Sequence, residues 1–159
     1  MTIEAYYVFV YGSLMEGFPL HSYLGSGTLV SKACVAGNLL SLGDYPGLVE
    51  GDGTVKGELY RCDDLRNLAS LDRVERFDPL EPQNSLFQRV LRAVTLSDGS
   101  SQKAWVYMLS KNDTEALLIP GGDWRGFVNS INARTSEAVP SVADLEKLKP
   151  RAELQSTQD

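Results

Sequence analysis

Two separate stretches of the chain carry residue types that could do chemistry together. Tyr11-Gly12-Ser13-Leu14 follows directly on the apolar run from Tyr6 to Val10. A strand that stops at Gly-Ser leaves backbone N–H groups at its end, and these can hold a carboxylate or a developing oxyanion. Far along the chain, Leu65, Leu68, Ala69 and Leu71 recur at helical spacing. At about 100° per residue, Glu75 falls inside the apolar stripe they define, and so does Asp72. A carboxylate on an apolar face is costly to bury charged, so it finds a partner, takes a raised pKa or escapes where the helix ends. A raised carboxyl at a pocket's edge is what general acid/base chemistry requires. The plainer readings are a turn after a strand for the first stretch and, for the second, ion pairs with Arg73, Arg76 or Arg89.

Other chemistries are poorly supplied. His21 is the one histidine, which excludes a His-rich metal site. A serine hydrolase would have to use Ser13 and His21, with neither a GxSxG elbow nor an evident acidic partner. Cys34 and Cys62 form no CxxC pair and read as ordinary thiols. No metal and no cofactor is therefore expected. Lys and Arg total 15 against 21 Asp and Glu, a net charge of −6 with no basic cluster, which disfavours nucleic acid and anionic membranes. The first ten residues carry Glu4, no basic leader, and too short an apolar run to span a bilayer. A soluble, cytoplasmic protein with a small-molecule partner is expected, and the sequence carries no signal of an oligomeric state.

The elements that must position these residues follow from pattern. Residues 5–11 read as a buried strand, and 18–24 as a short helix after Pro19. Residues 28–42 are β-prone and broken by Gly37, as one bent strand or two meeting at a bulge. Loops are expected at 43–47 and 51–53, with a strand at 54–60. The clearest helix begins at Asp63, a loop with Pro79 and Pro82 covers 77–85, and strands at 87–96 and 102–109 form a hairpin around Ser97-Asp98-Gly99-Ser100. A turn at 120–122, a short helix within 123–134 and a last helix opened by the Ser141-x-x-Asp144 capping box and ended by Pro150 complete the chain. At 159 residues and 43% hydrophobic, one domain over 1–150 with a polar tail at 151–159 is expected. Without regular strand–helix alternation the fold class is α+β, and a small barrel fits it.

Taken in order, these segments resemble the gamma-glutamylcyclotransferase-like family, which includes AIG2-like proteins and gamma-glutamylamine cyclotransferases. The residues that carry the resemblance are Val8-Phe9-Val10-Tyr11-Gly12-Ser13-Leu14, Gly37, Leu42-Gly43-Asp44-Tyr45-Pro46-Gly47-Leu48 and Val55-Lys56-Gly57-Glu58-Leu59-Tyr60. They continue with Leu71-Asp72-Arg73-Val74-Glu75-Arg76-Phe77-Asp78-Pro79, Phe87-Gln88-Arg89 and Ala104-Trp105-Val106-Tyr107. The resemblance implies a compact mixed β-barrel with flanking helices and a cavity bounded by the Tyr11–Leu14 loop. It implies a catalytic glutamate in the LDxxE stretch, which lands on Glu75, and leaves Asp72 to pair with a base such as Arg89. Tyr11, Gly12, Ser13, Leu14, Tyr45 and Tyr107 become the expected substrate-binding residues. The implied activity is release of 5-oxoproline from a γ-glutamyl amide, with the leaving group met by the loops at 18–27 and 78–85. The chain departs from the pattern at Phe87, where many relatives carry a tyrosine whose hydroxyl approaches the catalytic carboxylate. That departure keeps an alternative open, a non-catalytic binding or regulatory module that retains the pocket.

Overall fold

A run with almost no polar interruption has to be covered on both faces. In the computed structural model, which describes residues 5–111 and 115–137, strand β1 (Tyr6–Val10) is covered in this way, with Val8 and Phe9 sealed from solvent. It lies between β3 (Pro46–Cys62), with which it pairs antiparallel, and β5 (Ser101–Leu109), with which it pairs parallel. From β5 the sheet runs antiparallel to β4 (Phe87–Leu96), then to β2 (Thr28–Ser41), and β2 returns antiparallel to β3. The five strands thus close a barrel, and the two-residue β6 (Leu117–Leu118) adds to β2 from outside the ring. Val55, Leu59, Leu39, Leu48 and Val106 fill the interior with Phe9, and Val8, one residue along the strand, is buried on the opposite face with Tyr60. Helices α1 (Leu65–Val74) and α2 (Trp124–Glu137) flank it, so the expected α+β barrel is the observed architecture.

Several boundaries differ from expectation, each for a local reason. Pro46 and Gly47 belong to β3, since they pair with Ser41 and Leu40, and the hairpin turn shrinks to residues 42–45, closed by Leu42 N–H on the Tyr45 carbonyl at 2.9 Å. Gly51-Asp52-Gly53 is no separate loop. The register jumps from Asn38↔Val49 to Ala36↔Thr54, so residues 50–53 bulge out of β3 opposite Gly37 alone. Asn38 steadies the bulge by accepting the Gly53 N–H through its side chain at 3.1 Å. Gly37 has φ +146°, and a Cβ there would stand 2.7 Å from the Val49 carbonyl oxygen, so this bend excludes any side chain.

The helix expected from Asp63 begins at Leu65, because Asp64 is the residue that caps it, accepting the Arg66 N–H at 2.9 Å. Its burial grows along its length. Leu65 is 55% exposed and Ala69 is exposed, whereas Leu71 and Asp72 are buried. The expected stripe therefore exists only in its second half, where the helix meets the barrel. The 18–24 segment holds only a single turn of tight helix at His21–Leu24. Asp123 caps α2 by accepting the Gly126 N–H at 3.0 Å. Among the described residues, no helix is long and apolar enough to cross a membrane, and no cluster of three His, Cys, Asp or Glu side chains could hold a metal. The expected final helix at 141–150 and the 151–159 tail lie outside the described residues.

Candidate active site

The last turn of α1 delivers Glu75. The Phe77 N–H bonds the Asp72 carbonyl at 2.8 Å, and the Arg76 N–H bonds the Arg73 carbonyl at 3.1 Å. These two bonds define a Schellman ending, with Glu75 at the C-cap and the following residue in the left-handed conformation usually filled by glycine. Here that residue is Arg76, φ +57°, the one non-glycine with positive φ among the described residues. Holding an arginine there costs about 1 kcal/mol or more. The ending freezes Glu75 against the barrel mouth. Glu75 keeps some accessible surface, as a residue lining an open cavity must, but burial pushes its carboxyl up to about 7.

Asp72, one turn earlier, is handled differently. Its carboxylate receives Arg89 through Nε at 2.8 Å and Nη2 at 3.3 Å, and the Tyr107 hydroxyl at 2.6 Å. The guanidinium of Arg89 also lies 4.5 Å from the Trp105 ring centre and 5.6 Å from that of Phe77. Two carboxylates on one helical stripe thus have opposite fates. Asp72 is neutralised by a bidentate pair, and Glu75 is left to desolvation. Tyr107 is joined in turn to β1, because the Tyr11 hydroxyl donates to the Tyr107 carbonyl at 2.6 Å and accepts the Leu48 N–H at 3.2 Å. Burial, then the nearby Glu75 charge, holds the Tyr11 phenol well above its ordinary range. Both tyrosine hydroxyls are committed to the fold as donors, so what these residues offer a ligand is ring surface.

The loop after β1 is fixed through its carbonyls. That of Gly12 accepts the Met15 N–H at 3.0 Å, that of Ser13 the Leu20 N–H at 3.0 Å, and that of Leu14 faces His21 Nδ1 at 2.9 Å. A carbonyl can only accept, so Nδ1 carries the imidazole proton. This places His21 in support of the loop. Gly12 packs against Pro46, where a Cβ would meet Cγ at 2.7 Å and Cδ at 2.8 Å. A little further on, buried Glu58 accepts the Glu16 N–H at 2.9 Å and the Tyr60 hydroxyl at 2.8 Å, and Arg125 of α2 reaches it at 3.1 Å. Nothing in the strand pattern around Glu58 marked that anchor.

Strand end and helix end meet at one cavity of about 540 Å³, within the range of small-molecule sites. Its walls include all seven expected site residues: Tyr11, Gly12, Ser13, Leu14, Tyr45, Glu75 and Tyr107. Phe87 is there too, 2% exposed, its ring 6.0 Å from that of Tyr45. Sequence reasoning missed Phe9, Asp44, Leu86 and Arg76 among the lining residues. Asp44 and Arg76 each adjoin a residue that was singled out, and adjacency was the available signal. The arrangement can hold an anion or a polarised carbonyl at a rigid loop while a carboxyl near neutral pKa exchanges protons with it.

Comparisons with known proteins agree with this architecture. The family model described as gamma-glutamyl cyclotransferase, AIG2-like, matches residues 8–126. A Niallia circulans protein named gamma-L-glutamyl-butirosin B gamma-glutamyl cyclotransferase is 38% identical over 123 residues, covering 76% of this chain and 76% of its own. The Escherichia coli gamma-glutamylcyclotransferase family protein YtfP is 35% identical over 118 residues, covering 74% and 94%. The solution structure of YtfP superposes with a TM-score of 0.53 over 74% of this chain and 95% of its own, at 33% identity. The crystal structure of a mouse AIG2-like protein superposes with a TM-score of 0.59 over 74% and 86%, at 25% identity.

Proposed function

From the chain's membership of the gamma-glutamyl cyclotransferase, AIG2-like family, we propose that it releases 5-oxoproline from a γ-glutamyl amide, with Glu75 moving the proton. The observation that carries this reading is the meeting of Glu75, its carboxyl pushed up to about 7, with the Tyr11–Leu14 loop in one cavity. The substrate's α-amino nitrogen attacks its own γ-carbonyl carbon. The new C–N bond closes a five-membered lactam as the old amide C–N bond breaks. Nucleophile and electrophile belong to one molecule, so the cavity supplies rate by holding them in attack geometry. Glu75 as carboxylate takes a proton from the α-ammonium and returns one to the departing nitrogen. A pKa near the working pH serves both halves of that exchange.

The N–H groups of Gly12, Ser13 and Leu14 are assigned to the substrate α-carboxylate or to the tetrahedral oxyanion, on a loop whose carbonyls are already held. Tyr11, Tyr45 and Tyr107 are assigned to the cavity wall. The name of the Niallia circulans relative, which specifies gamma-L-glutamyl-butirosin B, supports this substrate class. No step calls for a metal or cofactor. Phe87 favours the alternative of a binding module, since it offers Glu75 no hydroxyl where the family resemblance expects one. The deciding experiment assays 5-oxoproline release by native protein and Glu75→Gln from a panel of γ-glutamyl dipeptides and γ-glutamylamines. Turnover by the native protein that vanishes in the variant supports the proposal. Full activity in Glu75→Gln removes Glu75 from the chemistry, and a folded native protein inert on every substrate favours the module.

A further inference from the structure

Glu16, two residues past Leu14, is held by both of its backbone polar groups. Its N–H donates to Glu58 Oε1 at 2.9 Å, and its carbonyl accepts Arg125 Nη2 at 2.7 Å. The same Nη2 pairs with Glu58 Oε2 at 3.1 Å, so a side chain of β3 and one of α2 close a ring around one residue of the loop. Both posts of that ring are fixed. Glu58 is buried and also receives the Tyr60 hydroxyl at 2.8 Å. Arg125 follows the buried Trp124 and the capping Asp123 at the start of α2, and its guanidinium lies 4.9 Å from the Phe18 ring centre.

The Arg125 side chain is 42% exposed, and without it Glu58 would keep the Glu16 N–H and the Tyr60 hydroxyl, so the pair adds little to the stability of the whole fold. Its contacts converge instead on residues 16–18, next to the turn that Gly12 and Met15 close. A loop of this kind opens locally unless it is tied down, and backbone donors lose much of their value when displaced. Resting on the cyclotransferase reading above, we propose that Arg125 is a positioning residue for that reaction: through Glu16 it keeps the N–H groups of Gly12, Ser13 and Leu14 aimed at the γ-glutamyl part of the substrate. Arg125 stands outside the cavity lining, so it acts through the loop alone.

The test uses Arg125→Met, which keeps an apolar stem over Phe18 and loses the polar contacts, and Arg125→Lys, which keeps the charge. Amide hydrogen exchange gives a readout independent of turnover. The Met15 and Leu20 N–H groups, bonded to the Gly12 and Ser13 carbonyls at 3.0 Å each, should exchange about tenfold or more faster in Arg125→Met, while amides of β1 and β5 keep their native rates. Assayed well below its Tm, the same variant should lose about ten- to a hundredfold in kcat/KM. The factor should be common to every γ-glutamyl substrate that native protein turns over, because the loop meets the part they share. Arg125→Lys should retain part of both properties. Native exchange at Met15 and Leu20 in Arg125→Met overturns the inference. So does faster exchange shared equally by β1 and β5, which would make Arg125 a support of the whole fold, and so does a native rate on a loosened loop. These outcomes leave 5-oxoproline release standing, whereas folded native protein that turns over no substrate ends the cyclotransferase reading and this inference with it.

Discussion

Glu75→Gln should stabilise this protein at neutral pH. A carboxyl raised from the ordinary 4.5 to about 7 by burial binds its proton more tightly folded than unfolded. Below about pH 4.5 both states are protonated and the native side chain carries no penalty. As pH rises toward 7 the unfolded chain releases the proton and the folded one does not, so stability is lost across that window and stays lost above it. The rise spans about 2.5 pH units, which at ~1.4 kcal/mol each gives about 3 kcal/mol, an upper value because part of Glu75 faces an open cavity. Glutamine keeps the shape without the titration. Urea unfolding of both proteins from pH 4 to pH 8 should therefore show curves that nearly coincide at pH 4 and separate by about 2–3 kcal/mol at pH 8, the variant being more stable. In a chain of this size that is a rise in Tm of about 5–10 °C. A stability difference that does not change with pH would refute the desolvation argument, and one that changes with the opposite sign would place a cation against Glu75.

In the proposed reaction the same ionisation should appear as a fall in kcat/KM for 5-oxoproline release as pH drops through about 7. Arg89→Met leaves the buried Asp72 without its bidentate partner and should cost about 3 kcal/mol or more in urea unfolding, part of it recovered by adding Asp72→Leu. Tyr107→Phe removes one hydrogen bond to the same carboxylate and should cost about 1–3 kcal/mol. Gly12→Ala forces a Cβ to 2.7 Å from the Pro46 ring, so it should lose about 1–3 kcal/mol of stability by overpacking and most activity by displacing the loop. A Gly12→Ala protein with native Tm and native rate would show that the loop has room to move.

The strands were readable from β-branched and aromatic runs bounded by turn residues, and Phe87–Leu96 falls on its expected bounds although only Phe87 and Val94 of it are buried. Glu75 was readable because helical phase survives in the half of α1 that touches the barrel. Leu65 was misread because the same phase says nothing about where contact begins. The Gly51–Gly53 bulge was read as a loop, since glycine punctuates both and only cross-strand register separates them. Arg76 gave no local sign of its backbone conformation, which the two Schellman hydrogen bonds set. Glu58 was silent for a similar reason. Its partners, Glu16, Tyr60 and Arg125, come together only when the loop after β1 and the start of α2 converge on β3.

The parallel pairing of β1 with β5 has a consequence for how this protein is made. Val8 and Phe9 lie against Trp105 and Val106, so β1 cannot be enclosed until nearly a hundred further residues have followed it. Until then β2, β3 and β4 have antiparallel partners closer in sequence, and β1 can pair only with β3. Closure is a late, long-range event of the kind that slows folding. The cavity needs both the loop that β1 carries and Tyr107 of β5, so no shorter nascent chain contains it. The proposed 5-oxoproline release, measured during refolding or synthesis, would then time the sealing of the barrel itself.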